Sequence, residues 1–240
     1  MPTLPRWPAL GCDDGGVSSR ITVDRGSVAD EAEGVGVNLR DALDGHRLLA
    51  VVRSDDPDAA LEAVLVLVEA GIGLVEVCLA SRDSVGVLLR ARAELGPEAL
   101  LGAGAVLTEG DVVAAEQAGA SFIVTPGMAP AVGEAVRLGL PALVGAVTPT
   151  EVIAASLAGA AAVEVFPAGL HGPGYLRTLR DCFPECCFVA SGGVDSGSVP
   201  AYLAAGASAV AVDQALLGDG AHGGDLDALR ERVAAFRSAL

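Results

Sequence analysis

From about residue 37 to the C-terminus, short apolar runs rich in Val, Leu and Ala alternate with Ala-, Leu-, Glu- and Arg-bearing segments of helical spacing, eight times over. The strand-like runs fall at 48–53, 74–80, 101–106, 122–125, 142–147, 162–166, 188–191 and 209–212. The helical segments fall at about 57–70, 83–95, 109–118, 129–138, 149–158, 173–181, 197–205 and 225–239. Asp56-Pro57 and Thr148-Pro149 read as helix starts, a capping side chain followed by proline in the first turn. Gly71, Gly119, Gly139, Gly159 and Gly206 punctuate the helix ends. Continuously apolar strands, each followed by a helix, are buried on both faces, so the pattern predicts an α/β chain closing into a single (β/α)8 TIM barrel over 37–240. A doubly wound open sheet is the alternative. Residues 1–36 hold Pro2, Pro5, Pro8 and Gly15-Gly16 without periodicity and read as an irregular extension.

Composition narrows the partners. Hydrophobic residues make up 52% of the 240 but aromatic ones only 3%, so the core must come from branched aliphatics and alanine. The formal charge of −16 opposes nucleic acid and anionic membranes, which leaves a small molecule as the expected partner. Five cysteines without paired zinc-type spacing, no secretory-type N-terminus and no apolar run of membrane-spanning length give the expectation of a cytoplasmic protein.

A barrel of this kind carries its chemistry at the C-terminal ends of its strands. There, Arg53 ends the first run, Glu76 lies within Val75-Glu76-Val77-Cys78, and Glu164 within Val163-Glu164-Val165-Phe166. A carboxylate inside a Val-rich strand is seldom buried unless paired, hydrogen-bonded or used. The structural alternative is a salt bridge, with Arg53 the natural partner. After the seventh run, Ser191-Gly192-Gly193-Val194 lets backbone amides approach an anion at the customary phosphate position of such barrels. His171, after the sixth run, is a weaker candidate to assist.

Taken together, Leu49-Ala50-Val51-Val52-Arg53, Val75-Glu76-Val77, Gly102-Ala103-Gly104-Ala105-Val106-Leu107, Thr125-Pro126-Gly127, Val144-Gly145, Val165-Phe166-Pro167-Ala168 and Ser191-Gly192-Gly193-Val194 resemble the 2-keto-3-deoxy-6-phosphogluconate/4-hydroxy-2-oxoglutarate aldolases over about 45–239. The resemblance implies a homotrimeric barrel that cleaves a 2-keto-4-hydroxy acid to pyruvate and an aldehyde through a Schiff base. It implies Glu76 as general acid/base, Arg53 near the substrate, Thr125 and Pro126 as a wall of the site, Phe166 as an aromatic on the sixth strand, and Gly192 and Gly193, with Ser191, as the phosphate-facing turn.

The chain departs from that pattern in four places. All 15 of its basic residues are arginine, and Glu164 stands where the resemblance puts the Schiff-base lysine. Ala80 and Ala105 replace an arginine and a threonine that hold the substrate carboxylate. Asp213-Gln214 occupies the usual Gly-Ser turn of the eighth strand. Without a lysine no imine forms on an internal side chain. The expectation is therefore a divergent lyase acting on a small keto-acid or oxygenated substrate through a Glu76/Glu164 acid/base pair. No cofactor is expected and no metal site is assigned, although Glu76 and Glu164 could hold a divalent cation. A non-catalytic barrel serving as a binding or scaffolding subunit is the alternative.

Overall fold

The computed structural model describes residues 38–240; the extension expected over 1–36 lies outside them. Eight parallel strands close on themselves: β1 (Leu48–Val52), β2 (Leu74–Cys78), β3 (Leu100–Gly104), β4 (Phe122–Thr125), β5 (Ala142–Ala146), β6 (Ala162–Val165), β7 (Phe188–Ser191) and β8 (Ala209–Val212), with β8 pairing back onto β1. The open-sheet alternative is thereby overturned. Closure leaves no unpaired strand edge, and each strand needs only a helix to cover its outer face.

The helices are α1 (Leu39–His46), α2 (Pro57–Glu69), α3 (Ser84–Leu95), α4 (Glu109–Gln117), α5 (Pro130–Leu138), α6 (Pro149–Leu157), α7 (Gly172–Cys182), α8 (Val199–Ala204), α9 (Gln214–Leu217) and α10 (Leu226–Ser238), with single 3-10 turns at Ala168–Leu170 and Gly220–His222. The anticipated caps form. The Asp56 side chain accepts from the amides of Asp58 and Ala59, and Thr148 and Glu151 bond reciprocally in a capping box, as Thr108 and Asp111 do. Helix α5 ends on Gly139 in the left-handed region, φ 71°.

Period-two alternation splits the strands into two cores. One set of side chains packs outward against the helices; Ala50, Val75, Ile123, Val144 and Val210 belong to it. The other set fills the barrel: Leu49, Leu74, Phe122, Leu143, Val189 and Ala209, closed at the strand N-termini by Leu39 and Leu43 of α1. Helix α1, capped by Asn38, is thus the barrel's bottom plug. With that end filled by leucine and phenylalanine, the free interior space lies at the strand C-termini.

Candidate active site

Glu76 on β2 and Glu164 on β6 share the inward parity of Leu74 and Ala162, one step nearer the mouth, and both are buried. They line one cavity of about 80 Å³ with Val51, Arg53, Ala105, Val124, Pro126, Phe166, Ser191, Gly192 and Asp213. Of the residues expected at the site, Arg53, Glu76, Pro126, Glu164, Phe166, Ser191 and Gly192 lie on this cavity.

Space for the Glu76 carboxylate comes from its neighbour on β3. A Cβ on Gly104 would lie 1.7 Å from Glu76 Oε1, so only glycine lets the carboxylate rest there. On the opposite wall Gly192 has φ 77°, and a Cβ on it would meet the Phe166 ring at 2.9 Å. The adjoining Ala105 holds φ 55°, a conformation that L side chains avoid and that clusters at functional sites.

The two acids are poorly compensated. Glu76 Oε2 is buried and has no hydrogen-bond partner among the described residues. Arg53 makes no ion pair among them either, so the salt-bridge alternative for Glu76 is not realised. Burial pushes the Glu76 carboxyl from its ordinary 4.5 up to about 8; the charge of Glu164 adds to this, Arg53 opposes it, and Asp213 adds again. Burial also lifts Glu164 to about 7, against the pull of the Ser191 hydroxyl, which favours the ionised form, with Asp213 raising it further. Two carboxyls with one proton between them at neutral pH titrate as a unit.

Two expected site residues are placed differently. Thr125 lies on β4 between Val124 and Pro126, which both line the cavity; its buried hydroxyl instead donates to the Gly127 carbonyl at 2.7 Å, holding the turn. Its parity is opposite to that of Val124. Gly193 is not a wall of the cavity either: its backbone packs against Gly169, where a Cβ would come within 3.2 Å of the Gly169 Cα. His171 is turned away onto Tyr175, ring centroids 4.8 Å apart. Val51 and Val124, which no motif singles out, also form walls of the cavity; the period-two relation of Val51 to Arg53 and of Val124 to Pro126 marks them.

The donor set is thin for a resident cation. Among the described residues no three His, Cys, Asp or Glu side chains gather closely enough to hold a metal ion, whereas hard divalent cations take about six oxygen ligands. What the arrangement offers is two buried carboxyls raised toward neutral pH and facing one small space, with Arg53 as the cation on its wall.

A second, larger space of about 320 Å³ shares Val51, Arg53 and Asp213 with this cavity and extends between the ends of β1, β2 and β8, past Ala80, Ser81, Gln214 and His222.

The family described as "KDPG and KHG aldolase" matches residues 39–231. A 2-dehydro-3-deoxy-6-phosphogalactonate aldolase of Escherichia coli is 34% identical over 164 residues, covering 66% of this chain and 78% of that one. A probable 2-dehydro-3-deoxy-6-phosphogalactonate aldolase of Rhizobium meliloti is 32% identical over 194 residues, 80% and 90% of the two chains. The solved structure described as "Native KDPGal structure" superposes with a TM-score of 0.75 at 31% identity, covering 80% of this chain and 93% of that one. The chain belongs to the KDPG and KHG aldolase family.

Proposed function

We propose that this barrel is a lyase that cleaves a 2-keto-4-hydroxy acid without a covalent intermediate, Glu164 acting as base and Glu76 as acid. The observation that carries the reading is the buried carboxylate pair itself. Where the resemblance expects a lysine the chain keeps a second acid, in a site that still has Glu76, Arg53, Pro126, Phe166 and Gly192 on its walls, and a merely decayed site would hold an inert apolar residue there. The relatives named above act on phosphorylated keto-sugar acids, which supports a keto acid as the substrate class.

The bonds balance as follows. The Glu164 carboxylate takes the proton of the substrate's 4-hydroxyl and the C3–C4 bond breaks, releasing an aldehyde. The electron pair passes into the C2 carbonyl, whose oxygen takes the Glu76 proton, giving the enol of pyruvate. Glu76 then recovers that proton while Glu164 delivers its own to C3, and pyruvate leaves with both groups reset. Arg53 faces the negative charge that builds on the substrate.

The exposed apolar side chains Val136 and Leu138 on α5 and Ile153 and Leu157 on α6 support a homo-oligomer, the trimer that the resemblance implies. The described cysteines are all free, in keeping with a reducing compartment.

The test is pyruvate release from a panel of 2-keto-4-hydroxy acids, followed across pH. The reading expects kcat/KM to peak between about pH 7 and 8, where one acid is protonated and the other is not. Glu76→Gln and Glu164→Gln should each lower kcat by about 100-fold or more. No turnover anywhere in the panel would favour the binding-subunit alternative.

A further inference from the structure

We propose that the larger chamber between the ends of β1, β2 and β8 is the subsite for the remote part of the substrate, and that it takes an uncharged polyhydroxylated chain rather than a phosphate. This rests on the keto-acid reading of the inner cavity. That cavity, at about 80 Å³, holds only the reacting carbons, whereas the chamber at about 320 Å³ reaches the size of ordinary ligand pockets, about 300 Å³ and upward. The shared walls Val51, Arg53 and Asp213 make the chamber the direct extension of the reacting space.

Its polar groups are arranged for hydroxyls. The Ser81 hydroxyl accepts from the Ser54 amide at 3.1 Å and donates to no described residue, so its proton is free for a ligand. His222 turns Nδ1 to the Ser54 hydroxyl at 3.3 Å, which leaves Nε2 for the chamber. The Asp55 and Asp213 carboxylates accept no hydrogen bond from described residues, and Arg53 donates none to them. The space thus presents both donors and acceptors, and a hydroxyl serves both.

Charge decides against phosphate. Two carboxylates, Asp55 and Asp213, and one guanidinium, Arg53, line the chamber, and the Gln214 side-chain amide already gives one N–H to the Gly218 carbonyl at 2.9 Å. Helix α9, which begins beside Asp213, spans four residues, too short to supply a compensating dipole.

Calorimetric titration of the full chain with three probes tests this: pyruvate, 2-dehydro-3-deoxygluconate and the 6-phosphate of the latter. The unphosphorylated six-carbon acid should bind about tenfold or more tighter than pyruvate, and about fivefold or more tighter than its phosphate. Ala80→Leu, at an exposed position on the chamber wall, should bring the six-carbon acid to within about twofold of pyruvate. Asp213→Asn should narrow the preference over the phosphate, which gives a second reading if Ala80→Leu fails to fold. The phosphate binding as tightly as the free acid, the six-carbon advantage surviving Ala80→Leu, or no probe binding at all would each overturn the proposal. Binding is read on Glu164→Gln, which removes the proposed base, as well as on the native chain; this separates binding from turnover, so the two readings fail separately. The expected ranking in an inert protein would count against the acid/base pair alone, while pyruvate release without the ranking would count against the chamber alone.

Discussion

Replacing both buried acids by their amides, Glu76→Gln with Glu164→Gln, should stabilise the fold at neutral pH. Both carboxyls titrate in the folded barrel above their ordinary 4.5, near 8 and 7, so between those values the folded state holds protons that the unfolded chain has released. Stability of the native protein therefore falls as pH rises through that window; it does not fall toward acid on this account. At about 1.4 kcal/mol per pH unit of displacement, the pair costs on the order of 6 kcal/mol at pH 7 relative to pH 4. Each amide brings a polar group that the cavity does not fully partner, at about 1–3 kcal/mol, which leaves a net gain of about 2 kcal/mol for the double variant. For a chain of this size that is about 4–8 °C in Tm. Thermal melts of both proteins from pH 5 to 8.5 provide the assay, and the difference between them isolates the pair from the surface carboxylates. The gap should vanish at about pH 6, reverse below it and widen toward pH 8. A double variant that melts below the native protein at pH 7.5, or a gap that ignores pH, would refute the argument and assign the acids a structural role.

Two further substitutions probe the same space. Gly104→Ala should displace the Glu76 carboxylate on which its Cβ would land, costing about 1–3 kcal/mol by urea denaturation and most of the activity; unaltered kinetics would mean that the carboxylate position is immaterial. The native protein treated with pyruvate and borohydride should gain no adduct on an internal residue by mass spectrometry, whereas Glu164→Lys should become trappable yet turn over poorly, because Ala80 and Ala105 offer no side-chain donor to the keto acid's carboxylate. Efficient cleavage by that single variant would show that those two alanines matter little.

The strands were readable because two-sided burial leaves little room for polar residues, so the 122–125, 188–191 and 209–212 runs coincide with β4, β7 and β8. Helix α1 leaves no periodic signal in the sequence, because Leu39 and Leu43 are its only buried positions in eight residues, too few to set a period against polar flanks. The carboxylates stood out as charges in apolar strands. Thr125 belongs to a motif that points at the site, but strand parity turns it away from the cavity lined by Val124 and Pro126. The chamber was invisible in the linear chain. Its walls come from segments as distant as Ser81 and His222, brought together only when β8 pairs with β1.

The unpartnered oxygen of Glu76 also makes the site an exchanger of protons with its ligand. A keto acid entering the cavity brings a negative charge against the pair, and where rising pH has stripped the pair of the one proton it shares, the easiest relief is to draw that proton back from solvent. Substrate and proton then arrive together, so affinity weakens as the medium becomes alkaline and the heat of binding carries the ionisation enthalpy of whatever buffer supplies the proton. In a chain of formal charge −16, that borrowed proton lets an anion settle where the protein's own field would expel it.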